Sequence, residues 1–383
     1  MLKKYLTIKN MLQIIQKNLM LFIVLVMVMG LANVQVFGGF KFTPLICLLA
    51  ALVMIYPSLV PLDFGKIGEV KKHWKIMLIS VVLNFILAPL VAYWISGIFL
   101  IDNPAMRLGF IILALLPGGG MVTTWALKSK ADMMTMVGIV LLNLLLAVVL
   151  VPFGITLATR KLNLNQSEQT ASTPTIEIRQ LSKSKQLGNK VGYLQGENNP
   201  EECVVEKITD KKASCVLGEG GITPIKIIIP IIFIIFFPLT LAFITQKMLV
   251  KYKGQKFFDE KKQIFGAFSN FGLLVVLFVL MSLKNNATIF EQADLLLKIF
   301  IALLLFYGIT FAVVYFLYKK FYNNSQGKAL LWGSYLRYIT LALGLAISLV
   351  FQDEALSPII LVIVLSYFIQ IPSSFLIVKL LQK

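Results

Sequence analysis

Histidine and cysteine are scarce in this chain: one and three among 383 residues. Zinc sites and nucleophilic triads are assembled from those side chains, so neither is expected here. Acidic residues are also few, 18 against 36 Lys and Arg. None lies inside a long apolar run; Asp63, Asp132 and Asp294 all fall at run ends. Proton pumps and carboxylate-based cation sites use acids at membrane depth, and that chemistry is missing. Gly118-Gly119-Gly120 is not followed by the Lys-Ser/Thr of a phosphate-binding loop, so an ATP-driven pump or an enzyme is not indicated. No cofactor and no metal is expected. A cleavable leader is not evident either: the basic start Met1–Lys17 runs into a full-length apolar stretch and is expected to stay attached.

Apolar length is what the chain has in abundance. Hydrophobic residues make up 58% of it and the mean hydropathy is +0.84, whereas about half apolar is usual for a soluble domain. Runs of bilayer-crossing length recur at about 20–39, 43–62, 75–100, 106–128, 133–158, 224–246, 264–283, 294–318, 329–351 and 357–378. The reading is an all-α polytopic membrane protein with ten transmembrane helices. A net charge of +18 invites a nucleic-acid reading, but its distribution argues against one. With a cytoplasmic N-terminus, 21 of the 36 basic residues fall on inner segments, and the short outer connections hold only Lys41, Arg107 and Lys284. That bias places both termini in the cytoplasm of a cell (inner) membrane, with the lipid bilayer and not nucleic acid as the partner.

The chain divides into a cytoplasmic segment 1–19, a five-helix repeat 20–158, an extracytoplasmic polar loop 159–223 and a second five-helix repeat 224–383. Five spans per half make the halves enter from opposite sides, as two inverted five-helix repeats would. Ala114-Leu115-Leu116-Pro117-Gly118 in span 4 is echoed by Ala329-Leu330-Leu331-Trp332-Gly333 in span 9. The loop is polar, with disorder expected from about Asn163 to Asn189. Two short strands are expected at Cys203–Ile208 and Ala213–Leu217. Cys203 and Cys215 lie outside in this topology, where a disulfide can form or both thiols can stay reduced. Cys47 reads as a small core residue.

Two segments carry the chemistry. Pro117-Gly118-Gly119-Gly120 must break span 4 at membrane depth, because proline lacks a backbone donor and glycine disfavours helix. Broken backbone is tolerated there only where it is buried in protein or lines a polar cavity. The half-helix that restarts after the break aims its positive end and free N–H groups at the middle of the membrane, which favours an anion, with Thr123 and Thr124 on its first turn. In span 9, Arg337 lies near mid-span, where insertion costs roughly 2.5–3.5 kcal/mol. With no intramembrane carboxylate, either an anionic substrate meets its guanidinium or the side chain caps carbonyls freed by a break in span 9. Tyr335, Tyr338 and Thr340 are further cavity candidates. His73 reads as solvated among lysines, and Lys298 as reaching back to the interface.

Pro117-Gly118-Gly119-Gly120-Met121-Val122-Thr123, followed by Ala131-Asp132-Met133 and Pro152, resembles the span-4 and span-5 motif of the bile acid/sodium symporters. Met54-Ile55-Tyr56-Pro57-Ser58-Leu59 is similar to a stretch of the related arsenite permeases of the arsenical-resistance family. The resemblance implies broken helices 4 and 9 crossing at the midplane, with spans 3–5 and 8–10 moving against spans 1, 2, 6 and 7. The departures are equally specific. The sodium-binding Ser-Asn of the symporters falls on Val122-Thr123, and their span-9 Gln-Asn falls on Arg337-Tyr338. The span-4 cysteine of the arsenite permeases has no counterpart. The functional expectation is a secondary transporter that moves a small organic anion without the usual sodium sites. Its expected substrate-binding set is Pro117, Gly118, Gly119, Gly120, Thr123, Thr124, Arg337, Tyr338 and Thr340. The alternatives are an arsenite or metalloid-oxyanion efflux permease and a transporter-like membrane sensor.

Overall fold

The computed structural model describes residues 18–37, 52, 55–61, 73–119, 121–162, 176–177, 191–194, 201–209, 212–217, 224–282, 293–350 and 356–382. Among them, helices occupy the position of each expected span, with only part of span 2 described. They are α1 (Leu19–Phe37), α2 (Trp74–Val82), α3 (Ala88–Phe99), α4 (Pro104–Leu115), α5 (Met121–Lys128) and α6 (Met133–Lys161) in the first half. The second half holds α7 (Pro224–Lys253), α8 (Gln255–Met281), α9 (Ala293–Phe321), α10 (Ser325–Tyr335), α11 (Ile339–Val350), α12 (Leu356–Leu365) and α13 (Tyr367–Gln382). Among the described residues, four continuous stretches are long and apolar enough to cross a membrane: Trp74–Phe99, Met133–Lys161, Asp294–Phe321 and Pro358–Gln382. Gly120, Cys47, Lys41, Lys284 and most of span 2 lie outside the described residues.

Local chemistry explains where the helices start and bend. Asp132 caps α6 by accepting from the Thr135 backbone N–H at 2.9 Å, and Asn324 caps α10 by accepting from Gly327 N–H at 2.9 Å. Between α2 and α3 the chain makes one π-helical segment, Leu83–Leu87, closed by a bond from the Ala88 N–H to the Leu83 carbonyl. Pro89 has no N–H to offer the Phe85 carbonyl, so the wider turn relieves a missing rung. This bulge carries Asn84, which is fully buried.

The core forms around α4, whose residues Leu108 to Leu115 are all buried. α12 and α3 pack on α4, while α10 packs on α6 and α9. Outward faces carry large apolar side chains, among them Trp94 and Ile98 on α3 and Phe153 on α6, as a lipid-facing surface requires. At the end of α5, the Lys328 Nζ donates to the carbonyls of Ser129 (3.2 Å) and Leu381 (2.8 Å), so one cation caps two helix C-termini. His73 is half-buried and within hydrogen-bond distance of Gln326, Nδ1 to Nε2 3.0 Å. Lys298 is exposed.

The loop between the halves holds a four-stranded sheet of β1 (Ile176–Glu177), β2 (Val191–Leu194), β3 (Glu201–Thr209) and β4 (Lys212–Leu217), in the order β1-β4-β3-β2. β3 and β4 coincide with the two strands expected from the sequence. β1 falls inside the stretch expected to be disordered, because the polar composition there concealed a two-residue edge pairing with Lys212 and Ala213. The ladder sets Cys203 opposite Leu217 and Cys215 opposite Val205. Both cysteine side chains lie outside the described residues.

Candidate functional site

Span 4 breaks between α4 and α5, and span 9 breaks between α10 and α11. The two breaks meet: Pro117 and Arg337 form an isolated antiparallel bridge, and the Tyr338 N–H approaches the Leu116 carbonyl at 3.5 Å. Leu116 and Leu336 are extended at the exits of their helices (φ −94, ψ 110 and φ −73, ψ 142). Glycine is required for this approach. A Cβ on Gly118 would sit 2.5 Å from Val122 Cγ2 and 3.1 Å from the Leu336 carbonyl oxygen. One on Gly119 would collide with the Tyr338 ring.

Arg337 is 2% exposed. Its Nη1 donates to Asn84 Oδ1 at 3.0 Å and to the Ala114 carbonyl at 3.1 Å, and its Nη2 donates to the Ser334 carbonyl at 2.8 Å. Those two carbonyls belong to the last turns of α4 and α10, the negative ends of two half-helices. Phe306 covers the guanidinium, ring centroid to Cζ 5.7 Å, within cation–π range. The buried Nε finds no partner among the described residues. Asn84 is itself held by donating from Nδ2 to the Gly333 carbonyl at 3.0 Å.

Gln370 completes the break from the other side. Its Oε1 accepts from the Arg337 backbone N–H at 2.8 Å, and its Nε2 donates to the Arg337 carbonyl at 3.2 Å. The Tyr307 hydroxyl donates to the same Oε1 at 2.8 Å, which fixes the amide orientation. A side-chain amide thus satisfies the peptide groups that the helix gave up.

A small cavity of about 20 Å³ adjoins the crossing, room for about one water. Its wall includes Ser58, Gly119, Val122, Ser269, Asn270, Arg337, Tyr338, Thr340, Tyr367 and Gln370. Ser58 and Tyr338 share a short hydrogen bond between hydroxyls, and Ser58 Oγ also donates to the Ile55 carbonyl at 2.6 Å. α5 and α11 begin at this wall, through Met121, Val122, Ile339 and Thr340.

The sequence-derived set therefore divides. Pro117, Gly118, Gly119, Arg337, Tyr338 and Thr340 come together at the crossing, while Gly120 lies outside the described residues. Thr123 is buried and Thr124 half-buried, and neither is in the cavity wall. Tyr335 points away, its hydroxyl 2.5 Å from Ser373 Oγ. Asn84, Gln370, Ser58, Ser269 and Asn270 were not singled out from sequence. The available signal was a lone amide in an apolar run: Asn84 in span 3 and Gln370 in span 10.

Comparison with known proteins gives two findings. Residues 48–184 match the Sodium Bile acid symporter family. An arsenical-resistance protein of Corynebacterium glutamicum is 32% identical over 84 residues, 22% of this chain and 23% of that relative. Both fall in the superfamily that the span-4 motif resembles. With the apolar helices, the matches support a multi-pass membrane protein similar over part of its length to a family of symporters. The aligned part spans about a quarter of the arsenical-resistance relative's length.

Proposed function

We propose that the chain is a secondary transporter that moves a small organic anion by alternating access around the crossing, without a bound sodium ion. The observation that carries this reading is the seat of Arg337. Three oxygens from three spans, Asn84 Oδ1 and the carbonyls of Ala114 and Ser334, converge on the guanidinium. Half-helix C-termini and unwound carbonyls are the usual ligands of coupling cations in transporters. Here a tethered, permanently charged side chain takes that position.

The anion preference rests on the other ends of the same helices. α5 and α11 start at the cavity, so both positive dipole ends bear on it, and its wall holds the Thr340 hydroxyl, buried and without a partner among the described residues, beside the Ser58–Tyr338 hydroxyl pair. The substrate-binding set is Gly119, Tyr338 and Thr340 with these neighbours, and Arg337 sets the charge beside it.

The proposed architecture is two inverted five-helix repeats in the inner membrane, with both termini cytoplasmic. Equivalent contacts support the repeat. Span 4 packs on span 10 through α4 and α12, as span 9 packs on span 5 through α10 and α6. Span 1 packs on span 7 through α1 and α8, and span 2 meets span 6 through Tyr56 and Thr245, hydroxyl to hydroxyl 2.8 Å.

A second reading, metalloid-oxyanion efflux, is favoured by the arsenical-resistance relative. Thermal shift and proteoliposome flux with small carboxylates, sulfonates and arsenite separate the two. The primary reading expects stabilisation and flux with an organic anion, equal in sodium and choline media. Arsenite-specific flux supports the second. Sodium-driven uptake that survives Arg337→Ala unchanged overturns the sodium-independent mechanism.

A further inference from the structure

One cluster of cations stands apart from the crossing. Tyr93 on α3 has the Arg107 guanidinium, from the first turn of α4, 5.5 Å from its ring centroid. It also has the Lys161 Nζ, from the last turn of α6, 5.2 Å from the same centroid. Three helices thus bring two positive groups onto one half-buried ring at the rim of the apolar surface. Gly97, one turn beyond Tyr93, makes the space: a Cβ there would lie 3.3 Å from Arg107 Nη2.

Among the described residues the two charges are uncompensated. Among the described residues no carboxylate lies within ion-pair distance of Arg107 or Lys161; Asp102, in the preceding turn, is exposed and pairs with neither. Arg107 Nε is buried and has no hydrogen-bond partner there. Two cations sharing a ring repel one another unless an anion joins them. Basic residues are also rare at this end of the helices, since the charge bias removes them from outer connections. Arg160, beside Lys161, is exposed and adds a third positive group.

The surroundings select the form of the anion. Trp94 and Ile98 flank the cluster on α3, 68% and 71% exposed, and Phe153 and Leu157 flank it on α6. A charged head beside exposed apolar side chains matches a phospholipid, whose acyl chains would cover those side chains.

We propose that Tyr93, Arg107 and Lys161 form a binding site for the phosphate-bearing headgroup of an anionic phospholipid in the outer leaflet. The test uses the purified full chain in uncharged detergent, titrated with phosphatidylglycerol, phosphatidylcholine or inorganic phosphate while thermal unfolding is followed. Phosphatidylglycerol stabilises the wild type. The double variant Arg107→Gln, Lys161→Gln needs roughly thirtyfold more of it, about one kcal/mol for each basic group lost. Arg107→Lys retains most of the effect, which separates lost charge from lost folding.

Equal stabilisation by phosphatidylcholine, or an unchanged response in the double variant, overturns the site. Matching stabilisation by inorganic phosphate alone makes it a free-anion site and overturns the lipid assignment. Brominated phosphatidylglycerol gives a second readout: it quenches wild-type fluorescence more than brominated phosphatidylcholine does, and the difference is lost in Trp94→Phe. A difference that survives in full in that variant places the lipid on another face.

Discussion

The two ends of each half-helix at the crossing meet different chemistry. The C-terminal ends of α4 and α10 converge on a fixed cation, with Ala114 and Ser334 carbonyls bonded to Arg337. The N-terminal ends of α5 and α11 converge on a small cavity whose wall holds hydroxyls and amides beside Arg337. The negative ends are neutralised within the protein, and the positive ends are left to bear on whatever enters the cavity. A broken helix in a membrane creates both kinds of end at once, and this chain closes one kind permanently.

The sharpest way to break that asymmetry is Arg337→Ala. Three hydrogen bonds from a charged donor disappear and buried oxygens lose their partner, so stability should fall by about 3–5 kcal/mol, read by denaturation in detergent. If the vacated oxygens accept an alkali ion, sodium chloride recovers part of the loss in this variant and choline chloride does not; the wild type responds to neither. Next in size is Gln370→Leu, expected to cost about 2–3 kcal/mol by stranding the Arg337 N–H and the Tyr307 hydroxyl. Gly119→Ala should cost about 1–3 kcal/mol through collision with the Tyr338 ring, and Tyr338→Ala in the same chain should return much of it. Their non-additivity in a double-mutant cycle is the measurement. Smallest is Ser58→Ala, about 1 kcal/mol or less in stability, with its main effect on the substrate concentration for half-maximal flux.

Much of the crossing was legible in the sequence because Pro117 and its glycines forbid a continuous helix wherever they stand. Arg337 was legible for a similar reason: a lone mid-span charge demands acceptors. Its Nη groups bond one carbonyl at the span-9 break, Ser334, one at the span-4 break, Ala114, and the Asn84 amide oxygen. Its acceptors could not be read, since Asn84 and Ala114 are 253 and 223 residues away in sequence. Gln370 gave only a weak signal. A single amide in an apolar run is compatible with packing, and only the backbone it serves shows its use. Thr123 and Thr124 fell outside the cavity wall because helical phase, and not nearness to the break, decides which side chains face it.

Gln370 also gives the crossing an order of yielding. Pro117 and Arg337 amount to a two-strand ribbon one residue long, and the Gln370 amide stands in for a third strand along its far edge. The ribbon's near seam is held by one long contact, Tyr338 N–H to the Leu116 carbonyl at 3.5 Å. Its far seam is held by two shorter bonds, and a tyrosine fixes the amide in place. Under load the backbone contact to span 4 yields first, which leaves spans 4 and 9 tied through the side chain of Arg337, Nη1 to the Ala114 carbonyl at 3.1 Å.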